Sequence, residues 1–528
     1  MDMDSLTKIV SDINSILWGP WCLIPILVGA GIFFSVNLRF VQIRQFGRAV
    51  KHVFGGLTFN GEKAGKHGMT SFQSLATAIA AQVGTGNLAG VATAMAMGGP
   101  GAIFWMWVAA FFGMATIFSE AVLAQLYRSK DEQGRIIGGP AYYISCGLGS
   151  RSMGALFSVL CIIALGFIGN MVQANSISTA FESSFNIPTP VTGVFLILLA
   201  GFIFIGGIKR IASFAEKMVP LMALVYVLGA VYIVIINIDL LIPTLSKIFV
   251  GAFDPSAATG GVIGASVKEA IRYGVARGLF SNEAGMGSTP HAHAIARVKH
   301  PAQQGLAAIV GLFIDTFIVL TATAIVILIT GVLDGQTTGI VLTQQAFVKG
   351  MGAAGSGFVA LCLFFAAFTT IIGWYFFAEQ NIKFLFGYKV INIFSVVVLC
   401  FLMMGSFLKV TLVWELADMF NGLMVIPNII AVFGLYKLVV RACQDYEQKF
   451  LKGEKPSFGP SERLTGRLAA IQTRHRSIKA AHNRQMMRNN AEEENNNSED
   501  NEIDETPIDE IVNAAKQHKN TGINHMRR

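Results

Sequence analysis

The residues AAQVGTGNLAG, at positions 80–90, decide the fold of this chain. They interrupt the apolar stretch Ser71–Met97 with three glycines placed around the polar Asn87. A second apolar stretch, Gly260–Met286, is interrupted in the same way and reads YGVARGLFSNEAGMGSTP over residues 273–290. Irregular backbone at membrane depth is tolerated only where it is buried in protein or lines a polar cavity. The two stretches therefore predict two broken membrane helices that border a cavity, although the glycines could also serve only close helix packing.

The composition indicates a membrane protein. The chain has 528 residues, of which 53% are hydrophobic and 14% charged, against roughly 25% charged residues in soluble domains. The mean hydropathy of +0.56 includes a polar segment from about Asp445 onward, so the remainder is more apolar still. This composition excludes an ordinary cytosolic protein and predicts an all-α, polytopic membrane protein.

Eleven apolar segments are long enough to cross a bilayer, for which about 20 residues are needed. They are Trp18–Val36, Ser71–Met97, Gly101–Tyr127, Met153–Ala180, Val191–Gly207, Ile211–Asn237, Gly260–Met286, Gln304–Gly331, Gly357–Gln380, Val390–Leu408 and Val413–Val440. The first segment lacks the basic start and the small-residue cleavage site of a secretory signal peptide. We therefore expect it to be retained as a helix.

Lysines and arginines concentrate in alternate loops between these segments. They occupy the loops at 39–66, 128–151, 209–217, 297–299 and 383–389, whereas the other set of loops holds only Lys8, Lys247, Lys349 and Lys409. Basic residues collect on the cytoplasmic side of membrane proteins. We therefore expect an external N-terminus and a cytoplasmic C-terminus, and we attribute the net charge of +8 to membrane orientation rather than to nucleic acid.

The spacing of the two interruptions predicts a repeat. Gly84 and Gly278 are 194 residues apart, close to half of the core between Ser71 and Val440. Paired broken helices at matching positions of two halves are typical of secondary transporters built from inverted repeats. We expect an extra helix and a basic loop in residues 1–70, five-helix repeats in 71–255 and 256–442, and a polar, disordered cytoplasmic tail in 443–528.

No pattern in the sequence indicates an enzyme or an organic cofactor. The six cysteines form no CxxC pair, and GTGN lacks the Lys-Ser/Thr of a phosphate-binding loop. His291 and His293 are two positions apart and do not share a helix face, so we do not expect them to bind a metal together.

Three motifs carry a family resemblance. GTGNLAG (84–90), GGPGAIFWMWVAAFFG (98–113) and GLFSNEAGMGSTPHAHA (278–294) together resemble the alanine/glycine:cation symporters, also called sodium:alanine symporters. The resemblance covers residues 18–440. It implies a LeuT-type fold with two inverted five-helix repeats, here preceded by one extra helix. It also implies sodium-driven, sometimes proton-driven, uptake of alanine, glycine and related small amino acids.

The first interruption is the predicted site for the substrate carboxylate. A buried carboxylate needs several hydrogen-bond donors, and a helix N-terminus offers free amides and a positive dipole. We expect the amides of Gly84, Thr85 and Gly86 to donate hydrogen bonds to the substrate carboxylate. We expect the side chain of Asn87 to contact the carboxylate or sodium. Gln82 stands where the LeuT-type pattern has a small residue, so its side chain either alters a cation site or contacts substrate.

The second interruption is expected to receive the substrate ammonium, as the LeuT-type fold implies. Its candidates are Phe280, Ser281, Asn282 and Met286, of which the polar pair would supply oxygen and the apolar pair would narrow the pocket. Trp374 would form one wall of the pocket. Phe167 and Asn170 could form the opposite wall, although core packing is the alternative for Phe167.

Sodium is a hard cation that takes oxygen ligands. Thr369 and Thr370 lie in the ninth segment and match the hydroxyl pair that binds sodium in the LeuT-type fold. That resemblance adds the carbonyls of Ala80, Val83 and Ala366. The alternative is that both hydroxyls bond to their own helix backbone.

Asp315, Glu120, Arg277 and Glu283 are ionisable residues inside apolar segments, where such groups are functional candidates. Asp315 could ligand a second cation together with Asn87, carry a coupling proton, or bond a neighbouring helix. Glu120 is expected to satisfy backbone groups that the second break leaves free. Arg277 and Glu283 are expected to pair across that break or to contact substrate.

The sequence thus predicts a sodium-coupled symporter for alanine or glycine that works by alternating access in a bacterial or archaeal cell membrane. A proton-coupled amino acid symporter that uses Asp315 is the alternative within transporters. An amino-acid-gated channel or a membrane receptor is the alternative from another class.

Overall fold

The computed structural model describes residues 3–19, 21–55, 69–130, 135–254, 266–408 and 410–453, and these are mostly helical. They belong to one compact unit, residues 1–462. The prediction for the tail falls outside the described residues from 454 onward, as do the first-loop lysines Lys63 and Lys66.

The helices of the first half of the chain lie in the predicted apolar segments and also outside them, at residues 3–17, 41–44, 46–54, 140–142 and 241–253. They are α1 (Met3–Leu17), α2 (Leu23–Asn37), α3 (Val41–Arg44), α4 (Phe46–Phe54), α5 (Ser71–Gln82), α6 (Val91–Gly98), α7 (Gly101–Leu126), α8 (Pro140–Tyr142), α9 (Arg151–Cys161), α10 (Asn170–Phe185), α11 (Thr189–Ile205), α12 (Gly207–Ile236) and α13 (Leu241–Phe253). π-helical turns cover Gly86–Gly90, Tyr143–Gly147 and Ile162–Gly169, and a 3₁₀ turn covers Ile238–Leu240. After α7, β1 (Ser129–Lys130) and β2 (Ile136–Ile137) form a short antiparallel pair.

The second half of the chain is helical in the same manner. Its helices are α14 (Val267–Asn282), α15 (Pro290–Ile295), α16 (Pro301–Leu312), α17 (Thr321–Thr330), α18 (Gly339–Met351), α19 (Ala354–Phe386), α20 (Ile391–Phe407), α21 (Val410–Gly434) and α22 (Tyr436–Leu451). A π-helical stretch, Phe313–Leu320, joins α16 to α17.

Within the described residues, six helices are long and apolar enough to cross a membrane, and the bent pair of α5 and α6 adds a seventh. Three more apolar helices, α2, α11 and α20, are shorter. The chain is therefore a multi-pass helical membrane protein, while the count of eleven crossings stays a prediction.

Both predicted interruptions are present. Helix α5 ends at Val83, whose backbone is extended (φ −78°, ψ 90°), and the axis bends by 42° before the chain resumes as a helix. Helix α14 ends at Glu283 with φ of 59°. Gly285 and Gly287 follow with φ of 87° and 81°, a left-handed conformation that glycine adopts without steric cost. Pro290 then starts α15, where its missing N–H costs nothing.

Each broken helix begins at a capping box, in which the cap side chain and a side chain three residues later satisfy each other's backbone amides. Thr70 and Gln73 form this cap on α5, and Ser266 and Glu269 form it on α14. Around the breaks, α7 packs against α14 and α16, and α19 packs against α5, α10 and α12. These helices hold the two irregular segments inside the protein.

The last described helix crosses the predicted boundary of the tail at residue 443. Helix α22 runs to Leu451 because its apolar stripe, which includes Leu438, Ala442 and Tyr446, is buried. Its Glu447 also forms an ion pair of 2.8 Å with Arg44, which lies in α3. Residues 443–451, the first nine of the segment predicted as tail, are therefore helical.

Candidate functional site

The two breaks lie against each other. A Cβ atom on Gly86 would stand 2.9 Å from the Cα of Ser281, closer than real Cβ contacts allow, so only glycine permits this approach. The side-chain amide of Gln82 donates to the carbonyl of Asn282 at 2.7 Å. Gln82 therefore ties one broken helix to the other, a role that its sequence position did not indicate.

Two of the three amides that the sequence analysis expects to be free, those of Gly84 and Thr85, have partners within the protein. The Gly84 N–H donates to Asn87 Oδ1 at 3.1 Å, and the Thr85 N–H donates to Gln173 Oε1 at 3.2 Å. Buried backbone donors are almost always paired, and these side chains supply the pairs. Gln173 was missed by the sequence analysis; its signal is a second amide one turn after Asn170 in an apolar helix.

Two buried polar atoms beside these amides have no hydrogen-bond partner in the described part of the chain. They are Thr85 Oγ1 and Gln173 Nε2, and both side chains are buried. Asn170, one turn before Gln173 on α10, also has an unpartnered oxygen, Oδ1. Buried polar atoms in folded proteins are nearly always partnered. A hydroxyl and an amide donor are therefore available beside the first break to a small polar ligand.

Asp315 connects the two breaks from the π-helical stretch between α16 and α17. Asn87 Nδ2 donates to its Oδ1 at 2.7 Å, and Ser281 Oγ donates to its Oδ2 at 3.0 Å. Thr316 Oγ1 also donates to Oδ2 at 3.0 Å, and the Asn282 side chain reaches Thr316 at 3.4 Å. Among the described residues, every side chain that donates a hydrogen bond to this buried carboxylate is neutral.

The predicted sodium ligands also lie together, where α5 ends against α19. Thr370 Oγ1 is 2.9 Å from the carbonyl oxygen of Ala80, 3.1 Å from that of Ala366 and 3.5 Å from that of Val83. Thr369 Oγ1 is 2.8 Å from the same Ala366 carbonyl. The group consists of oxygen atoms alone, the donor set that suits a hard cation.

A glycine makes this oxygen group possible. A Cβ atom on Gly84 would stand 2.3 Å from Thr370 Oγ1. Any larger residue at this position would push α5 away from α19 and separate the oxygen atoms.

Aromatic rings form a wall beside the second break. The Phe280 ring meets the Trp374 ring edge-on with centroids 5.5 Å apart and lies 4.9 Å from the Trp414 ring. The Trp374 indole N–H donates to the Glu283 carboxylate. A Cβ atom on Gly169 would stand 2.4 Å from the Trp374 ring, so this tryptophan is wedged tightly. Trp414, on α21, was not anticipated from the sequence.

Two of the predicted substrate residues, Phe167 and Met286, make packing or backbone contacts within the protein. Phe167 is half-buried, and its ring stacks on Phe401 of α20 with centroids 4.6 Å apart. Gly166 and Gly169 occupy the face that meets α19, and successive helical residues point about 100° apart, so Phe167 faces elsewhere and packs. Met286 is buried in the irregular segment, and its N–H donates to the Glu283 carbonyl at 3.1 Å.

The expected pair of Arg277 and Glu283 does not form. Arg277 pairs instead with Asp418 of α21 and lies 4.6 Å from the Trp414 ring. Glu283 accepts hydrogen bonds from Trp374 and Ser288. Residues six apart on a helix point about 120° away from each other, which explains why each finds a different partner.

Glu120 satisfies freed backbone of the second break, as predicted. Its carboxylate accepts from the Gly285 N–H at 3.1 Å and from Asn428 Nδ2 at 2.5 Å, while the same Asn428 amide donates to the Gly285 carbonyl at 2.9 Å. His291 and His293 bond to Asn381 and Gln304. No group of three or more His, Cys, Asp or Glu that could hold a metal ion occurs in the described ranges.

Comparison with known proteins gives the family. The model of the sodium:alanine symporter family matches residues 3–460. The chain belongs to the sodium:alanine symporter family. The symporter is 40% identical over 456 residues to the sodium/alanine symporter AgcS of Methanococcus maripaludis, covering 85% of this chain and 98% of that one. It is 42% identical over 455 residues to the probable sodium/glutamine symporter GlnT of Bacillus subtilis, covering 86% and 93%.

Among solved structures, the symporter resembles a Na⁺-coupled sialic acid symporter in a substrate-bound outward-open state. The TM-score is 0.46 at 14% identity, with 74% of this chain and 82% of that chain covered. Family membership makes this protein a sodium-coupled amino acid symporter and a transporter rather than an enzyme.

Proposed function

We propose that this symporter moves a small neutral amino acid, alanine or glycine, across the cell membrane together with sodium by alternating access. The observation that carries the proposal is the meeting of two broken helices around unpartnered buried polar atoms, next to a group made only of oxygen atoms. A zwitterion and a cation are the ligands that such neighbouring groups would bind.

Sodium would bind between Ala80, Val83, Ala366, Thr369 and Thr370. The ion would take the place of the hydrogen bond that now joins Thr370 to the Ala80 carbonyl, with the Thr370 hydroxyl keeping its proton and turning it away from the ion. Binding there would tie α5 to α19, and release on the other side would loosen that tie. Inward movement of each sodium ion supplies about 2.3 kcal/mol per 100 mV of membrane potential, in addition to the concentration gradient.

The amino acid would lie beside this sodium site. Its carboxylate would replace the Asn87 and Gln173 side-chain oxygens as acceptor for the amides of Gly84 and Thr85 and would also accept from the Gly86 amide, with Gln173 turning its free Nε2 toward the ligand. Its ammonium would be received by oxygens of Ser281 and Asn282. The tightly packed Phe280 and Trp374 would limit the side chain of the substrate to a small one.

We further propose eleven crossings: α2 as an extra helix, followed by two inverted repeats of five helices in residues 71–255 and 256–442. The matched capping boxes and breaks of α5 and α14 support this arrangement. The asymmetry of basic residues supports an external N-terminus and a cytoplasmic C-terminus.

Counterflow in proteoliposomes tests the substrate and the ion. Alanine, glycine and glutamine would be compared under sodium, lithium and proton gradients; glutamine is included because one relative is named for it. We expect sodium-dependent accumulation of alanine or glycine, which is lost when Thr369 and Thr370 are both changed to Ala. Alanine uptake that persists unchanged in this double variant without sodium would overturn the sodium site.

Two other outcomes would favour the other mechanisms. Uptake that follows a pH gradient and ignores sodium would favour a proton-coupled symporter in which Asp315 carries the proton. Alanine that enters the proteoliposomes but never accumulates above its external concentration would favour a channel. Alanine that binds without entering would favour a receptor.

A further inference from the structure

A groove of about 540 Å³ lies between α2, α7 and α14. Its walls are apolar and include Ile24 and Val28 on α2, Val108 and Ala109 on α7, and Val275 on α14. Ligand sites in proteins have volumes of roughly 300–1,000 Å³. The groove is therefore large enough for part of a lipid molecule.

The groove continues toward the second break. A smaller cleft shares Val28, Ala109 and Val275 with it and extends past Leu279 to Asn282 and Ala284. This cleft has a volume of only about 20 Å³, roughly the space of one water molecule, so an apolar chain in the groove ends before it.

One end of the groove is basic. Lys268 and Arg272 line it, one turn apart in the first part of α14. In the described part of the chain, neither side chain forms a salt bridge within 4.0 Å. Of the neighbouring acids, Glu269 caps its own helix, Asp418 pairs with Arg277, and Glu415 accepts a hydrogen bond from Asn14. Two positive charges therefore stand at the mouth of an apolar groove.

The groove follows the first part of α14. Its lining residues on this helix run from Lys268 to Val275, a rise of about 10 Å at 1.5 Å per residue. One leaflet with its headgroups is about 20–22 Å thick. With the two cations at headgroup level, the apolar walls therefore contact the part of an acyl chain nearest the headgroup.

We propose that this groove binds an anionic phospholipid of the surrounding membrane. The phosphate lies between Lys268 and Arg272, and the first part of an acyl chain follows α2, α7 and α14 down to Val275. The two positive charges at the mouth select an anionic headgroup over a zwitterionic one. Helix α2, which lies outside the two proposed repeats, supplies one wall of this site.

Native mass spectrometry of the purified full-length symporter in detergent tests the proposal, with phosphatidylglycerol and phosphatidylcholine as probes. Each basic residue near an anionic lipid contributes roughly a fivefold gain in affinity. We therefore expect K268Q/R272Q to bind phosphatidylglycerol about 25-fold more weakly than the parent, with phosphatidylcholine binding unchanged. The control K247Q/K349Q removes two exposed lysines outside the groove and should leave both affinities unchanged.

A second variant separates lipid from free phosphate. Ala109→Trp fills the groove without changing any charge, so it should lose phosphatidylglycerol. Equal binding of the two lipids, or the same loss in K247Q/K349Q, would overturn the proposal. So would displacement of phosphatidylglycerol by millimolar inorganic phosphate together with undiminished binding in A109W, because the site would then be a simple anion site.

Discussion

The side-chain amide of Asn87 donates a 2.7 Å hydrogen bond to the carboxylate of Asp315, 228 residues further along the chain. Ser281 donates to the same carboxylate from the second break. One acidic group thus joins both broken helices, and only neutral groups bond to it. A buried carboxylate without a cation is costly, so a second cation would relieve this cost.

Asp315→Asn is expected to lower the number of cations moved per amino acid by one. Asparagine keeps an oxygen acceptor for Asn87 and Ser281, so the helices stay joined while the charge is lost. The ratio is measured from the reversal potential of uptake in proteoliposomes.

The matched control for D315N is Glu120→Gln, because Glu120 is also a buried acid but bonds to backbone and Asn428. E120Q should leave the cation ratio unchanged. If D315N also leaves it unchanged, Asp315 only holds the helices together.

Thr370→Ala is expected to raise the sodium concentration for half-maximal alanine binding at least tenfold. The substitution removes an oxygen that lies within 3.1 Å of two carbonyls of the proposed site, and contacts to charged groups contribute about 1.5–3 kcal/mol. Sodium-stimulated binding of labelled alanine to the purified protein measures the change.

Thr370→Ser keeps the hydroxyl and should stay within threefold of the parent protein. Thr330→Ala removes a buried hydroxyl that bonds only within its own helix, so it should have no effect on sodium. If T370A and T330A need the same sodium concentration for half-maximal alanine binding, the cation binds at another site.

Gly86→Ala is expected to reduce the rate of alanine uptake at least tenfold. The added methyl group would meet the Ser281 backbone at 2.9 Å, and overpacking of this kind costs about 1–3 kcal/mol. Gly90→Ala is the matched control, since its methyl group would meet nothing closer than 3.8 Å. Initial rates in proteoliposomes, normalised to inserted protein, compare the two variants; equal rates would show that the breaks need not touch.

The sequence was sufficient for features that are local along the chain. Glycine clusters inside apolar segments located both breaks, since the chain cannot leave the helix in a membrane without a buried or polar setting. The sequence also indicated Glu120 as the group that serves freed backbone. In each case the residues of one segment were enough to predict the structural feature.

Partners from distant segments could not be read from the same patterns. Gln173 accepts a hydrogen bond from the Thr85 amide, and Arg277 pairs with Asp418 instead of Glu283. Both contacts arise from helix packing between residues 88 and 141 positions apart in the sequence. Phe167 faces α20 because two nearby glycines occupy the face toward α19. Such choices depend on helix rotation, which apolar segments that are hydrophobic on every side do not specify.

The buried pair of Arg277 and Asp418 provides a test of stability. The two side chains are only 5% and 11% exposed. Removal of one partner from a buried ion pair costs about 3–5 kcal/mol, because the other charge is left uncompensated. Asp418→Asn should therefore lower the midpoint of thermal unfolding in nanodiscs strongly.

The reference for D418N is Glu447→Gln, which breaks an ion pair whose Arg44 is 39% exposed. Exposed pairs contribute about 0–1 kcal/mol, so E447Q should shift the midpoint little. The double variant R277M/D418L replaces the buried pair by apolar side chains of similar volume, and such replacement is often neutral; it should recover most of the stability that D418N loses. If the unfolding midpoint of D418N is no lower than that of E447Q, Arg277 must find another counterion. The nearest candidate along α21 is Glu415, which lies one turn before Asp418 on the same helix.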